Sequence, residues 1–251
     1  MKEQTHQMLG VIGGLGPVAT AHFMELVIRM TRAEKDQEHL DMIIYNIPSI
    51  PDRTAYILDH STESPLPRMI QLGKELRRQG AACIAIPCFT AHYFYEELSQ
   101  SIDLPIINAL RETALYLKEH GVRTVGVMAT DGTIRSRLFH RELEALDIRV
   151  EEPSPERQKD VMALIYDDIK QNRPADMDRF RRVREELQNF GAEVIILGCT
   201  ELSLIKRDNE IGPGFIDAME VLAKTAVERC GGSLSETACR LITGEREGAI
   251  L

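Results

Sequence analysis

A parallel-sheet α/β fold is the architecture this sequence predicts, and three observations predict it. Short apolar runs of strand length alternate with longer segments of helical spacing. The alternation repeats once along the chain, and glycine-rich or cysteine-bearing turns follow the strands.

Taken in order, residues 8–12 read as a first buried strand and 19–32 as the helix after it. Between them, Gly13-Gly-Leu-Gly-Pro17 makes a tight turn, with Pro17 suited to a first helical position. Residues 42–47 are a second strand, followed by a proline-rich loop, Asn46-Ile-Pro-Ser-Ile-Pro-Asp-Arg53-Thr54. A helix over 67–79, a strand over 83–86, a strand over 104–107 and a helix over 108–119 follow. Residues 122–128 start the second half as a strand. Helices over 135–146, 157–170 and 176–189 lead to a final strand at 194–197.

The halves match in detail. Gly80-Ala-Ala-Cys-Ile-Ala-Ile-Pro-Cys88 parallels Gly191-Ala-Glu-Val-Ile-Ile-Leu-Gly-Cys199. In each, a glycine ends a helix, an apolar strand follows, and a cysteine stands eight residues after that glycine, before a helix start. Gly10-Val-Ile-Gly13 similarly parallels Gly126-Val-Met-Ala129. Two similar α/β domains are expected, one from 1–111 plus 211–251 and the other from 112–210, with 216–227 crossing back to the first.

At 251 residues the chain is long enough for two such cores. Its net charge of −9 argues against nucleic acid or an anionic membrane as partner. No run approaches the ~20 apolar residues of a membrane span, and residues 1–7 lack the apolar centre of a signal peptide. The five cysteines are odd in number, irregularly spaced and without zinc-ligand patterns, which fits a reducing cytoplasm.

Ligands of open α/β sheets bind beyond the carboxyl ends of the strands. Cys88 and Cys199 fall there, each at a helix N-terminus, where free N–H groups favour a thiolate. Two opposed thiols suit a reaction in which a proton leaves one face of a carbon and returns at the other. Cys83, Cys230 and Cys239 are read as packing residues, and His22 and His92 as structural or surface residues. The Gly14 turn is suited to offer N–H groups to a small carboxylate. It resembles a dinucleotide fingerprint, but the second strand lacks the acidic residue that would hold a ribose. Arg53 could grip a carboxylate through paired hydrogen bonds. Lys170 ends an amphipathic helix, and Thr130 and Thr133 could either donate hydroxyls or serve as ordinary caps.

These residues resemble the aspartate/glutamate racemase family, in its aspartate racemase branch. The likeness rests on Gly13-Gly-Leu-Gly-Pro17, Pro51-Asp-Arg-Thr-Ala-Tyr56, Pro87-Cys-Phe-Thr-Ala-His92, Ala129-Thr-Asp-Gly-Thr133, Gln158 through Met162 with Ile165-Tyr166 and Lys170, and Gly198-Cys-Thr-Glu201. It runs over roughly residues 8–228. It implies an isomerase that racemises a small acidic amino acid without pyridoxal phosphate, metal or other cofactor, as a homodimer. Cys88 and Cys199 would be the catalytic pair, Arg53 and Lys170 would serve substrate carboxylates, and Thr90, Thr130 and Thr200 would add hydrogen bonds. Glutamate racemases carry histidine where this chain has Glu201. The first cysteine motif usually reads Cys-Asn-Thr; here Phe89 stands at the amide position, and Asp131 adds a negative charge close by. Both departures bear on substrate choice, with aspartate first and glutamate next. Other readings are an isomerase of the wider superfamily acting on another amino acid, a hydantoin or maleate, and a two-lobed binding protein without turnover.

Overall fold

The computed structural model describes residues 6–244. β1 (Leu9–Gly13) is buried along its whole length, as a parallel strand covered on both faces must be. α1 (Pro17–Met30) follows, with its proline in the first turn and with Phe23, Val27 and Met30 on its buried stripe. β2 (Met42–Asn46) pairs in parallel with β1. The proline-rich stretch expected as loop contains a helix, α2 (Arg53–Leu58), capped by Asp52, whose carboxylate accepts the Ala55 N–H at 2.8 Å.

After α3 (Leu66–Arg78), β3 (Cys83–Ala85) pairs with the other side of β1. Cys88 then caps a 3₁₀ segment, Phe89–Phe94, which runs into α4 (Tyr95–Ser101). The strand expected at 104–107 is reduced to a bridge between Ile84 and Ile106. α5 (Ala109–Glu119) carries the chain to β4 (Thr124–Met128).

The helix expected over 135–146 is two helices, α6 (Asp131–Arg135) and α7 (Leu138–Glu144). They part at Arg137, held in a left-handed conformation with φ 52°. β5 (Arg149–Glu151) and α8 (Pro155–Ala163) come next. The run expected as one helix to 170 then widens into a π-helical stretch, Leu164–Asp168, and tightens into a 3₁₀ turn, Ile169–Gln171. α9 (Met177–Asn189), β6 (Val194–Leu197), α10 (Thr200–Asp208), β7 (Phe215–Asp217) and α11 (Ala218–Arg229) complete the order.

The strands form two parallel sheets, ordered β2-β1-β3 and β5-β4-β6-β7. β3 and β6 hold matching places beside the first strand of their sheets, so Cys88 and Cys199 leave equivalent strand ends. The sequence expectation put 211–251 with the first domain; of these, 245–251 lie outside the described residues. Phe215–Asp217 instead extends the second sheet beside β6, and the return is made by α11, which packs on α1 and α5. The largest apolar core serves both sheets, including Leu9 and Val11 of β1 with Val125 and Val127 of β4. No helix among the described residues is long and apolar enough to cross a membrane.

Candidate active site

Cys88 and Cys199 line one small cavity of about 10 Å³, bounded also by Leu15, Asp52, Arg53, Tyr166, Lys170 and Glu201. Thr90, Thr130 and Thr200 border it too. Both thiols are 6% exposed, and the space holds about one water molecule. Leu15, Asp52, Arg53, Lys170 and Glu201 also line an outer pocket of about 420 Å³. They therefore form the wall between the thiols and the outside.

The two thiols sit in unlike surroundings. Cys199 lies 2.9 Å from the Glu201 Oε2 that accepts its hydrogen bond, and Thr200 donates to the same oxygen at 3.2 Å. Burial first, and the Glu201 carboxylate second, push the Cys199 thiol well above the ordinary thiol range. The helix start that was expected to favour a thiolate there is worth only about 0.3–1 kcal/mol, and it is outweighed. Cys88 has the Arg53 guanidinium for a neighbour. Burial pulls Arg53 down, but the charges of Cys88 and Asp52 more than reverse this and raise it.

Arg53 is held rather than free. Its Nη1 donates to the Pro51 carbonyl at 3.0 Å and its Nη2 to the Leu15 carbonyl at 3.1 Å. Its Nε is buried without a partner among the described residues, on a guanidinium that borders the cavity beside Cys88. Lys170 reaches across from the second sheet, with Nζ 3.5 Å from Asp52 Oδ2 and 3.8 Å from the centre of the Tyr166 ring. Burial alone would lower the Lys170 ammonium; Glu201, Tyr166, Cys199 and Asp52 around it raise it instead.

Thr90, Thr130 and Thr133 bring their hydroxyls together at 2.9, 3.0 and 3.1 Å, tying the turn after Cys88 to the first turn of α6. Thr90 and Thr130 border the cavity, whereas Thr133 lies behind them. Gly14 differs from expectation. Its N–H is donated to Thr20 Oγ1 at 2.8 Å, and it lines only the outer pocket. Glycine is required there for shape: φ is +91°, and a Cβ would come within 2.3 Å of the Ile47 nitrogen. Asp131 is held away from the thiols by Gln158, whose Nε2 donates to it at 2.8 Å.

Phe89 borders the cavity, but its ring belongs to the core, 1% exposed and packed against Phe139. His92 is structural in a specific sense. Its Nε2 accepts the Ala109 N–H at 3.2 Å, so Nδ1 carries the proton and donates to the Cys88 carbonyl at 3.1 Å. Asp52 and Tyr166 were not singled out as site residues, and they meet across the cleft with oxygens 3.3 Å apart. Both lie within the motifs that carry the family resemblance, and Asp52 also shows a cap pattern; Tyr166 is delivered by the π-helical stretch, which leaves no periodicity to read. Cys83 and Cys230 pack sulfur to sulfur at 3.6 Å, and Cys239 is exposed. No cluster of metal-ligating side chains is found among the described residues.

The Asp/Glu/Hydantoin racemase family model matches residues 12–226. The broad specificity amino-acid racemase RacX of Bacillus subtilis is 29% identical over 228 residues, covering 88% of this chain and 96% of its own. The structure of an aspartate racemase from Picrophilus torridus superposes with a TM-score of 0.82 at 31% identity, covering 92% of this chain and 97% of that one. Glutamate racemase from Francisella tularensis, solved with D-glutamate, shares the fold at a TM-score of 0.58 and 17% identity, over 90% of this chain and 81% of that one.

Proposed function

From the premise that the chain belongs to the Asp/Glu/Hydantoin racemase family, we propose that it is an amino-acid racemase working with Cys88 and Cys199 as opposed base and acid. The observation that carries this reading is the single cavity that both thiols line, to which each sheet contributes one thiol from an equivalent strand end. One sulfur takes the Cα proton, and the electron pair is left delocalised into the substrate carboxylate. The other sulfur gives its own proton to the opposite face. The Arg53 guanidinium, which lines the cavity, is suited to the carboxylate on which that charge collects.

Aspartate is the leading substrate and glutamate the next, with Lys170 available for the second carboxylate. A neutral amino acid is the second reading. Asp52 and Glu201 already balance Arg53 and Lys170, and one thiolate adds a negative charge, so a second carboxylate would leave the buried site two negative charges in excess. The resemblance also carries the expectation of a dimer, which light scattering on the purified protein tests.

The deciding experiment offers each L- and D-amino acid in heavy water and follows deuterium at Cα. Exchange with at least one pair is expected; exchange with none overturns the reading. Cys88→Ser and Cys199→Ser should each abolish full racemisation, and retained racemisation in either rejects the pair.

A further inference from the structure

The cavity holds a carboxylate in direct contact with one of its two sulfurs. Resting on the two-thiol reading, we propose that Glu201 is a positioning residue that keeps the single proton of the pair on Cys199. The free protein then presents Cys199 as the acid and Cys88, beside Arg53, as the base.

The geometry is specific. Glu201 is 4% exposed. Its Oε2 receives hydrogen bonds from Cys199 at 2.9 Å and Thr200 at 3.2 Å, while Oε1 faces the Gly16 turn. An ionised carboxylate only accepts, so both hydrogens point at it. The Glu201 carboxylate helps to raise the Lys170 ammonium beside it; Asp52, Arg53, Tyr166 and Cys88 are the other charged or titratable groups on the cavity wall. The Gly16 turn, packed against the carboxylate from the third side, brings no titratable side chain. A thiolate at Cys199 would place two anions in contact inside a low-dielectric pocket. A thiolate at Cys88 would instead face a guanidinium.

Each turnover exchanges the two forms. With Cys88 as thiolate, the Cα–H bond breaks, S–H forms at Cys88, the Cys199 S–H breaks, and a new C–H forms on the opposite face. The product leaves Cys199 charged against Glu201, and the proton must pass from Cys88 to Cys199 before the next cycle. The enantiomer whose Cα–H meets Cys88 therefore binds the favoured form. Enantiomers are equal in free energy, so kcat/KM is the same in both directions. The bias appears as a lower KM together with a proportionally lower kcat for that enantiomer.

Glu201→Gln keeps shape and acceptor while removing the charge. Its alkaline limb of kcat/KM, where Cys199 loses its proton, should move to lower pH by about one unit or more. The KM and kcat values of the two enantiomers should converge. Glu201→Asp, which withdraws the charge by one methylene, should shift the limb part way and serves if the glutamine variant does not fold. Iodoacetamide labelling of Cys199 in a Cys88→Ser background reads the same proton without turnover, and should proceed at lower pH once Glu201 is neutral. Unchanged limb, kinetic split and labelling would overturn the role of Glu201 and leave the two-thiol reading intact. Absence of Cα exchange in the unaltered protein would overturn that reading, with the labelling shift still deciding whether Glu201 holds the Cys199 proton.

Discussion

Phe89 and Phe139 meet edge to face between the two halves of the chain, ring centroids 6.2 Å apart and planes at 62°. Phe89 directly follows Cys88, and the Phe139 ring also lies against Gly198, directly before Cys199. One aromatic contact thus braces both cysteine turns. Replacing Phe89 by the asparagine common in relatives is expected to destabilise the protein by about 3–5 kcal/mol, because it opens a cavity and buries an amide. Thermal unfolding measures this; an unchanged melting temperature would show that the ring is not braced as described.

Gly198→Ala tests the brace from the other side. An added Cβ would stand 2.7 Å from Phe139 Cε2, and overpacking of this kind costs about 1–3 kcal/mol. Activity should fall with stability, since Cys199 is the next residue. Phe139→Leu in the same protein should recover part of the stability loss, and a double-mutant cycle with no coupling would reject the contact.

His92→Ala should leave the Ala109 N–H and the Cys88 carbonyl without their partner, at about 1–3 kcal/mol for a buried group, and should lower kcat through Cys88. The pH dependence has a definite sign. Burial holds the His92 imidazole below its usual range. The stability it contributes is complete above the unfolded value of about 6.5 and is lost as pH falls from there toward the folded value. Chemical denaturation midpoints from neutral to mildly acidic pH should fall less steeply for the variant than for the unaltered protein.

Asp52→Ala removes a helix cap and both cross-cleft contacts, and is expected to cost about 0.5–2 kcal/mol from the cap alone. Burial would raise the Asp52 carboxyl, but the Ala55 N–H, Lys170 and Arg53 outweigh it and hold it below the usual carboxylate range. Its contribution is present above pH ~4 and lost as pH drops through the lowered value. The variant should show a weaker loss of stability in that acid range, and an identical acid profile would reject the role.

The alternation of strands and helices was readable because each main element is long enough to show its period, and the paired cysteines because the two halves repeat. β5 and β7 have three residues each, too few for alternation to register. Asp52 and Tyr166 escaped as site residues for a different reason. Each looks like an ordinary cap, core or surface residue locally, and acquires its role from a partner well removed along the chain. The Phe89 substitution was visible as a departure, but only packing shows that its ring faces Phe139 as well as bordering the substrate space.

Residues 233–243 fasten both halves at one place. Ser233 and Ser235 bond to the backbone at the far end of α1, and Thr243 pairs with Phe215 of β7. The wall around the thiols begins at the opposite end of α1, beside Gly16 and Pro17. Fourteen helical residues, about 20 Å, separate these ends. One tail segment therefore anchors both the second sheet and the helix whose first turn walls the thiols, so the two lobes cannot shift apart without breaking backbone hydrogen bonds at residues 233–243.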